Sequence, residues 1–575
     1  MEIMTKPIKD KFAIAAALQE IGTLLELKGG GEYFKARAYK AGSRSVAELS
    51  EDLGKLIKQN RLTFVKGIGQ GLAKQIEQLY TTGQSSLLNE LRGEVPPGIV
   101  ELSAVRGLNV KKVQLLHEAL GISTVKELKA AAEAGKLREI KGFGAKTETK
   151  ILAAIAGNEN REQRIHLHHA LRAGQSILDY LKASRDCKKA ELAGSLRRWK
   201  ETVSQIVVVA SASKPPALIK YFLRFPAVAQ IEEQTSGRAV VTLGEGFKMT
   251  LIAVKPEEFA VALFNATGSQ AHLQKLNELA GSARPRRASS KTKAVQPKSE
   301  AQIYRHFGMQ FVPPELREDH GEIEAALAGK IPQDLISEDD IRGMVHCHTT
   351  YSDGKHSVEQ MVAAAEALGM KYITITDHSP TAFYAGGVKI DRLQRQWEEI
   401  DEVQQRTKIK ILKGTESDIV ADGSLDYPDW ILEQFDVIVA SIHSRYQMDE
   451  AKMTRRIVTA MRQPVFKIWG HALGRKIQSR PPFDCRVEEI LDVIAESRAA
   501  VEVNGDPYRL DMEPRWLREA RKRKIKFVIS VDAHSMGALN NLKFGVGTAR
   551  RAGMRKGEVL NTLGVKAFQK AVRPV

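Results

Sequence analysis

The sequence predicts a multidomain chain with an α-helical N-terminal part, an α+β middle segment and a C-terminal distorted β/α barrel. Three observations carry this. The length, 575 residues, exceeds what one hydrophobic core organises. Apolar spacing changes from helical to strand-like near Glu191, and beyond Ile341 short β-branched runs alternate with amphipathic helices.

In the N-terminal part, FAIAAALQEIGTLLEL, LAKQIEQLY and KVQLLHEALG place apolar residues at helical spacing, punctuated by glycine turns. QIVVVASA, RAVVTL and MTLIAV then read as strands, with PPALIKYFLRF and EEFAVALF as helices between or after them. The stretch GSARPRRASSKTKAVQPKS has almost nothing to bury and is expected to be a basic linker. KYITITDHS, DVIVASIHS and KFVISVDAHS are strand-like runs of the barrel.

The composition is that of a folded protein, with 43% hydrophobic and 6% aromatic residues. A formal charge of +18 favours a polyanionic partner, because Lys and Arg gain affinity by releasing counterions from phosphates. Cys187, Cys347 and Cys485 have no paired spacing for a metal or a disulfide, which fits a reducing compartment. The N-terminus lacks a cleavable apolar leader and no apolar run is long enough to cross a bilayer, so the expected location is cytoplasmic, away from membranes.

The chemistry-bearing signal lies in the barrel. IRGMVHCHTTYSD contributes His346, His348 and Asp353, and apolar runs lead into His378, Glu416, His443, His471, Asp532 and His534. The C-terminal ends of parallel barrel strands converge on one face, so donors placed there share a pocket. In H-x-H and D-x-H, residues two apart project from one face, while Cys347 and Ala533 turn away. Mixed imidazoles and carboxylates suit Zn²⁺ or Mn²⁺, and so many donors imply several ions. Clustered divalent ions serve phosphoester hydrolysis by activating water and steadying the leaving oxygen. His356 is expected to be an ordinary histidine. Arg445, Arg475 and Arg509 follow ligand-bearing strand ends, where a guanidinium either grips a phosphate, with Arg475 the first candidate catalytic residue, or forms a rim salt bridge.

HCHTTYSDG, TDHS, GTES, SIHS, GHALGR and DAHS together resemble the successive motifs of the polymerase and histidinol phosphatase (PHP) domain. The resemblance implies a distorted barrel with two to three divalent ions. It would place His346, His348, Glu416 and Asp532 on one ion, Glu416 with His443 and His471 on a second, and Asp353, His378 and His534 on a third.

VKGIGQG, VRGLNVK and IKGFGAK, each before a helix, are similar to helix-hairpin-helix turns that hold DNA backbone, with Gly67, Gly69, Gly107, Gly142 and Gly144 allowing close approach. Lys35, Arg37 and Lys40 are candidate phosphate contacts, a solvated face being the alternative. KAELAGSLRRWKETV resembles the nucleotide-binding entry of a family X DNA polymerase palm, with Gly194, Ser195 and Arg198 matching, and the whole chain resembles the bacterial family X architecture. The three catalytic aspartates of that family fall here at Gln205, Val207 and Thr250, so Mg²⁺ is not expected at the polymerase site. The lyase lysine of some relatives falls at Gln75, one residue from Lys74.

These readings divide the chain into a lyase-like helical DNA-binding domain (1–85), a fingers-like helix-hairpin-helix domain (86–158), and a degenerate nucleotidyltransferase palm and thumb (159–280). A basic linker and connector (281–337) and the PHP domain (338–575) follow. The thumb is expected to be cut short at the basic stretch. The expected protein is a bacterial, nucleoid-associated DNA end-processing phosphoesterase, most simply a 3′-5′ exonuclease acting on gapped DNA or exposed ends. The alternatives are a polymerase using Glu201 or Glu245 as ligands, a non-catalytic DNA-end scaffold, and a small-molecule phosphatase.

Overall fold

The computed structural model describes residues 11–574, apart from 29–30, 48, 50–52, 66, 96–98, 100–101, 103–104, 106–107, 109, 141, 160–163, 244–246 and 283–296. Gly107, Glu245 and most of the expected basic linker therefore lie outside the described residues. The chain forms two compact units, residues 1–162 and 163–575.

The first unit is helical. The two N-terminal domains expected from sequence share one apolar cluster running from Ile14 to Ile155, so their helices pack as a single body. The three glycine turns have one geometry: Ile68, Leu108 and Phe143 each donate a backbone hydrogen bond three residues back, to Val65, Val105 and Ile140, at 3.0, 3.0 and 2.9 Å. Gly67 and Gly142 take φ of +89° and +98°, which explains glycine at those positions. Helices Gln70–Thr82 and Ala145–Glu159 begin just after the first and third turns.

In the second unit, β1 (Ile165–His166) and β3 (Thr202–Val203) form a short pair, and β2 (Cys187–Ala193), β4 (Gln205–Ala212), β5 (Val228–Gln234), β6 (Arg238–Leu243) and β7 (Lys248–Val254) build a sheet ordered β2-β4-β7-β6-β5. Only β4 and β7 run parallel in it. Helices Leu167–Lys182 and Pro215–Phe222 contribute buried faces to its core.

The thumb does not stop at the basic stretch. Ile303, Tyr304, Met309, Val312, Ile323 and Ile331 share an apolar cluster with Phe264 and Leu276 on the near side. The expected connector thus packs as the second half of the thumb, where buried Arg317 is paired with Glu300 and the half-buried palm residue Arg197 lies 2.7 Å from Glu300. Its composition is polar enough to pass for a connector because ion pairs share the work of apolar burial.

The C-terminal barrel has seven parallel strands in the order β14-β13-β12-β11-β10-β9-β8. They are β8 (Gly343–Met344), β9 (Tyr372–Ile375), β10 (Lys410–Asp418), β11 (Val437–Ser441), β12 (Lys467–Trp469), β13 (Ala499–Asn504) and β14 (Phe527–Ser530). Beyond the first and last strands, a parallel bridge between Cys347 and Ala533 joins the edges, with His348 N donating to Ala533 O at 2.8 Å and Ala533 N to His346 O at 3.0 Å. β11 and β14 are buried along their whole length, as expected where helices cover a parallel sheet. The palm docks against this barrel: Leu510 and Phe544 belong to the palm's apolar cluster, and the Trp199 ring lies where a Cβ on Gly547 would meet it at 2.4 Å.

Candidate metal centre

All nine donors expected from sequence gather at the C-terminal ends of the barrel strands. His346, His443, His471 and Asp532 stand two residues past β8, β11, β12 and β14, His378 three past β9, and Glu416 lies inside β10. The Cys347–Ala533 bridge sets H-x-H beside D-x-H, and Cys347 and Ala533 themselves turn into the apolar core, fully buried. His471 and Asp532 take positive φ, 24° and 51°, a strained backbone of the kind held at functional sites.

Glu416 is the hub. Its Oε1 lies 3.4 Å from His346 Nε2, 3.2 Å from His443 Nε2 and 2.8 Å from His471 Nε2. Its Oε2 lies 3.5 Å from His348 Nε2 and 3.0 Å from His378 Nδ1. Asp532 Oδ1 sits 3.6 Å from His346 and 3.2 Å from His348. Asp353, at the mouth, lies 3.6 Å from His378 and 3.2 Å from His534.

These groups fit metal better than each other. His346 Nε2, His348 Nε2, His378 Nδ1, Glu416 Oε2 and Asp532 Oδ1 are buried and make no hydrogen bond, although an unmade buried hydrogen bond costs about 1–3 kcal/mol. Their separations match the roughly 3.3 Å between neighbouring ligands on one tetrahedral ion with bonds near 2.0–2.1 Å. Three overlapping sets can each converge on a point: His346, His348, Glu416 and Asp532; His378, Glu416 and His443; and His348, Asp353, His378 and His534.

Electrostatics sharpen the picture. Burial pushes the Glu416 carboxyl up, but the imidazoles of His443, His378 and His346 outweigh it and hold it well below the carboxylate range. Burial likewise opposes charge on His346, yet Glu502, Glu416 and Asp532 hold its imidazole well above the ordinary value. Burial, with His534 and His378 alongside, drives His348 down to about 3, so it is neutral and ready to donate a lone pair.

Outer carboxylates orient the rings. Glu502, buried in β13, lies 2.7 Å from His346 Nδ1, and it accepts from Ser530 Oγ and from Asn504 at 3.1 Å. Asp418 lies 2.8 Å from His443 Nδ1. Asp377 accepts from Thr349 N at 2.8 Å, Thr349 Oγ1 at 2.6 Å and Gln396 at 2.6 Å, fixing the loop that carries Asp353. None of the three was singled out from sequence. Asp418 and Asp377 stand beside chosen ligands, in TESD and TDHS, while the signal for Glu502 was a charge inside the apolar strand VEVN.

The arginine expectation needs correcting. Arg475 is buried and its guanidinium is spent on Glu201 and the Leu510 carbonyl, with Glu513 at 3.3 Å, so it ties the palm to the barrel rather than facing the donors. Arg509 is the guanidinium beside the site, 3.5 Å from Asp532. Arg445 is exposed. His356 stands apart from the donor sets.

At the palm, Thr250 Oγ1 donates to Gln205 Oε1 at 3.1 Å, and Val207 lies in register with Thr250 and against Gly194. Arg198 is bound to Glu318 at 2.7 Å and to the Thr267 carbonyl at 2.6 Å, and Ser195 is half-buried beside it. Glu201 is held by Arg475. In the first unit, Gln75 accepts from Ser85 at 2.8 Å and Lys74 is exposed. Lys35 and Arg37 are exposed, near Phe34 and Tyr33, whereas Lys40 is paired with Glu26. Gly69 and Gly144 are exposed at helix starts.

The sequence matches the PHP domain over residues 345–506, a helix-hairpin-helix domain over 9–85, a SAM-like helix-hairpin-helix tandem over 99–156 and the DNA polymerase beta thumb over 262–318. The helix-hairpin-helix and thumb matches mark a DNA-binding chain. Among the described residues, no helix is long and apolar enough to cross a membrane. The chain is 27% identical to a probable phosphatase of Thermoanaerobacter sp. strain X514, over 38% of this chain and 89% of that protein, and 26% identical to a probable phosphatase of Caldicellulosiruptor saccharolyticus, over 33% and 78%. It is 32% identical to the DNA polymerase/3′-5′ exonuclease PolX of Bacillus subtilis, over 96% of this chain and 97% of that one. Thumb, hairpin domains and metal-ready barrel thus stand in one chain, end to end with that relative, and the protein belongs to the PolX family, in which family X polymerase domains are fused to a PHP phosphoesterase domain.

Proposed function

We propose that the protein is a metal-dependent 3′-5′ exonuclease that trims or processes 3′ ends at gaps and breaks in DNA, with chemistry in the barrel and no templated synthesis in the palm. The carrying observation is the set of buried donors that converge on Glu416, of which His346 Nε2, His348 Nε2, His378 Nδ1, Asp532 Oδ1 and Glu416 Oε2 itself make no hydrogen bond. Two to three Mn²⁺ or Zn²⁺ ions held by His346, His348, Asp353, His378, Glu416, His443, His471, Asp532 and His534 would acidify a water and neutralise charge on the phosphate.

The chain's own groups supply the rest. Glu502 and Asp418 hold His346 and His443 in the tautomers that turn their Nε2 atoms to the site. Arg509, next to Asp532, is placed to steady a phosphate oxygen. Tyr384, 69% exposed, has its ring 6.1 Å from His378 and 6.2 Å from His443, offering a face on which the terminal base can stack. The hairpin turns, with Gly67, Gly69, Gly142 and Gly144, and the exposed Lys35 and Arg37 suit non-specific backbone contacts.

In the palm, Gln205, Val207 and Thr250 offer no anionic oxygen, and the amide and hydroxyl satisfy each other. Mg²⁺ with a triphosphate needs hard anionic ligands there. Glu201, one of the two candidate substitutes, is paired with Arg475. The phosphatase relatives favour a second reading, hydrolysis of free phosphomonoesters.

Gapped DNA labelled at either end, incubated with Mn²⁺ or Zn²⁺ and all four deoxynucleotides, separates these readings. Stepwise 3′ shortening that disappears in the His346→Ala/His348→Ala double variant, with no extension by either protein, supports the proposal. Primer extension that survives the double variant overturns the reading of the palm, and intact DNA alongside hydrolysis of p-nitrophenyl phosphate favours the phosphatase.

A further inference from the structure

Between the thumb and the barrel lies a cavity of about 330 Å³, whose basic lining comprises His320, Lys330, Arg518, Arg521, Arg551 and Arg555. None of the metal-centre donors lines it. Its carboxylates each have a partner outside the lining, Glu315 with Arg550 at 2.6 Å, Glu318 with Arg198 at 2.7 Å and Glu322 with His272 at 2.6 Å, while Glu315 Oε2 stays buried without a hydrogen bond. Arg521 and Arg555 are neutralised by Glu558 at 3.0 Å and Asp334 at 3.3 Å.

Arg518, Arg551 and Lys330 have no such partner: among the described residues, no carboxylate lies within ion-pair distance of them. Arg551 Nε is buried without a hydrogen bond. Arg518 Nη1 reaches only the Arg551 carbonyl, at 3.5 Å. Burial pulls both guanidinium groups below their usual range. Two partly buried like charges that make no ion pair are costly to the fold, since Glu318 acts on both only from beyond ion-pair distance, and guanidinium forks match the tetrahedral oxygens of phosphate better than any neutral group. The volume lies near the low end of small-ligand sites, about 300–1,000 Å³, and cannot admit a duplex.

We infer that this cavity is an anion site for the phosphate group of a small free ligand, inorganic phosphate or a nucleoside monophosphate, held between Arg518 and Arg551. A nucleoside monophosphate is the chemical class that exonucleolytic trimming releases, so the site would sense free product away from the metals. The inference stands whether or not the barrel hydrolyses DNA, because binding alone is measured.

Calorimetric titration of the full-length protein with inorganic phosphate and, separately, with dAMP tests it. Saturable binding should weaken about tenfold or more in Arg518→Gln and in Arg551→Gln, while Arg518→Lys, which keeps charge but loses the fork, keeps part of it. Neither guanidinium makes an ion pair, so both Gln variants should melt at or above the wild-type temperature in phosphate-free buffer. The binding lost should be the same in a His346→Ala background, which separates it from ligand at the metal centre. Tight dAMP with weak phosphate assigns the site to the nucleotide, and equal affinities assign it to the phosphate alone. Binding unchanged in both Gln variants overturns the inference, as does a loss confined to DNA affinity with no phosphate or dAMP binding in the wild type.

Discussion

His346 Nδ1 lies 2.7 Å from the buried Glu502 Oε1, so the ring's other nitrogen is turned towards Glu416 and Asp532. The contact joins residues 156 positions apart in sequence.

Removing that orienting charge should loosen the metal without removing a ligand. Glu502→Gln is expected to lower metal affinity about 10–100-fold, read as Mn²⁺ or Zn²⁺ retained after dialysis, with hydrolysis partly restored by excess metal. Wild-type metal retention in this variant would mean that Glu502 only fills space.

Tyr384 tests how the 3′ end is held. Its exposed ring beside His378 and His443 predicts that Tyr384→Ala raises KM for single-stranded 3′ ends by about 5–150-fold, the worth of one base stack. Metal content should not change. A fall in kcat with KM constant would place the ring in the chemistry instead.

Asp511 gives a pH signature. Burial pushes its carboxyl up to about 6, against the pull of Arg475 and Arg509. Its folded value lies above the ordinary 3.8, so the folded chain takes up this proton first on acidification. Relative to Asp511→Asn, which cannot titrate, the wild type should gain about 1 kcal/mol of stability between pH 7 and pH 5. Urea unfolding followed by tryptophan fluorescence reads this directly, since all five tryptophans lie beyond residue 163. A gap that closes in the opposite direction would contradict the buried, raised carboxyl.

The candidate metal donors were legible because each ends or follows an apolar strand, and strand alternation sets His346 and His348 on one face. Glu502 and Asp418 were not, since their role depends on which imidazole the barrel's curvature brings to them. Arg475 misled for a similar reason: it follows a ligand strand as expected, but its partner Glu201 comes from the palm, 274 residues away. The thumb's second half was hidden because the basic stretch interrupts the pattern before Ile303 and Tyr304 return to pack with Phe264 and Leu276. In the palm, Gln205, Val207 and Thr250 could be read from the letters, while the Thr250–Gln205 hydrogen bond needed the β4–β7 register.

The most direct test of the central claim is the single-turnover rate of 3′ shortening with Mn²⁺ in Glu416→Gln, measured beside DNA affinity. Glu416 touches five of the imidazoles, so the rate should fall on the order of 10³-fold with DNA affinity unchanged. A rate near wild type would contradict the account and move the chemistry out of the barrel.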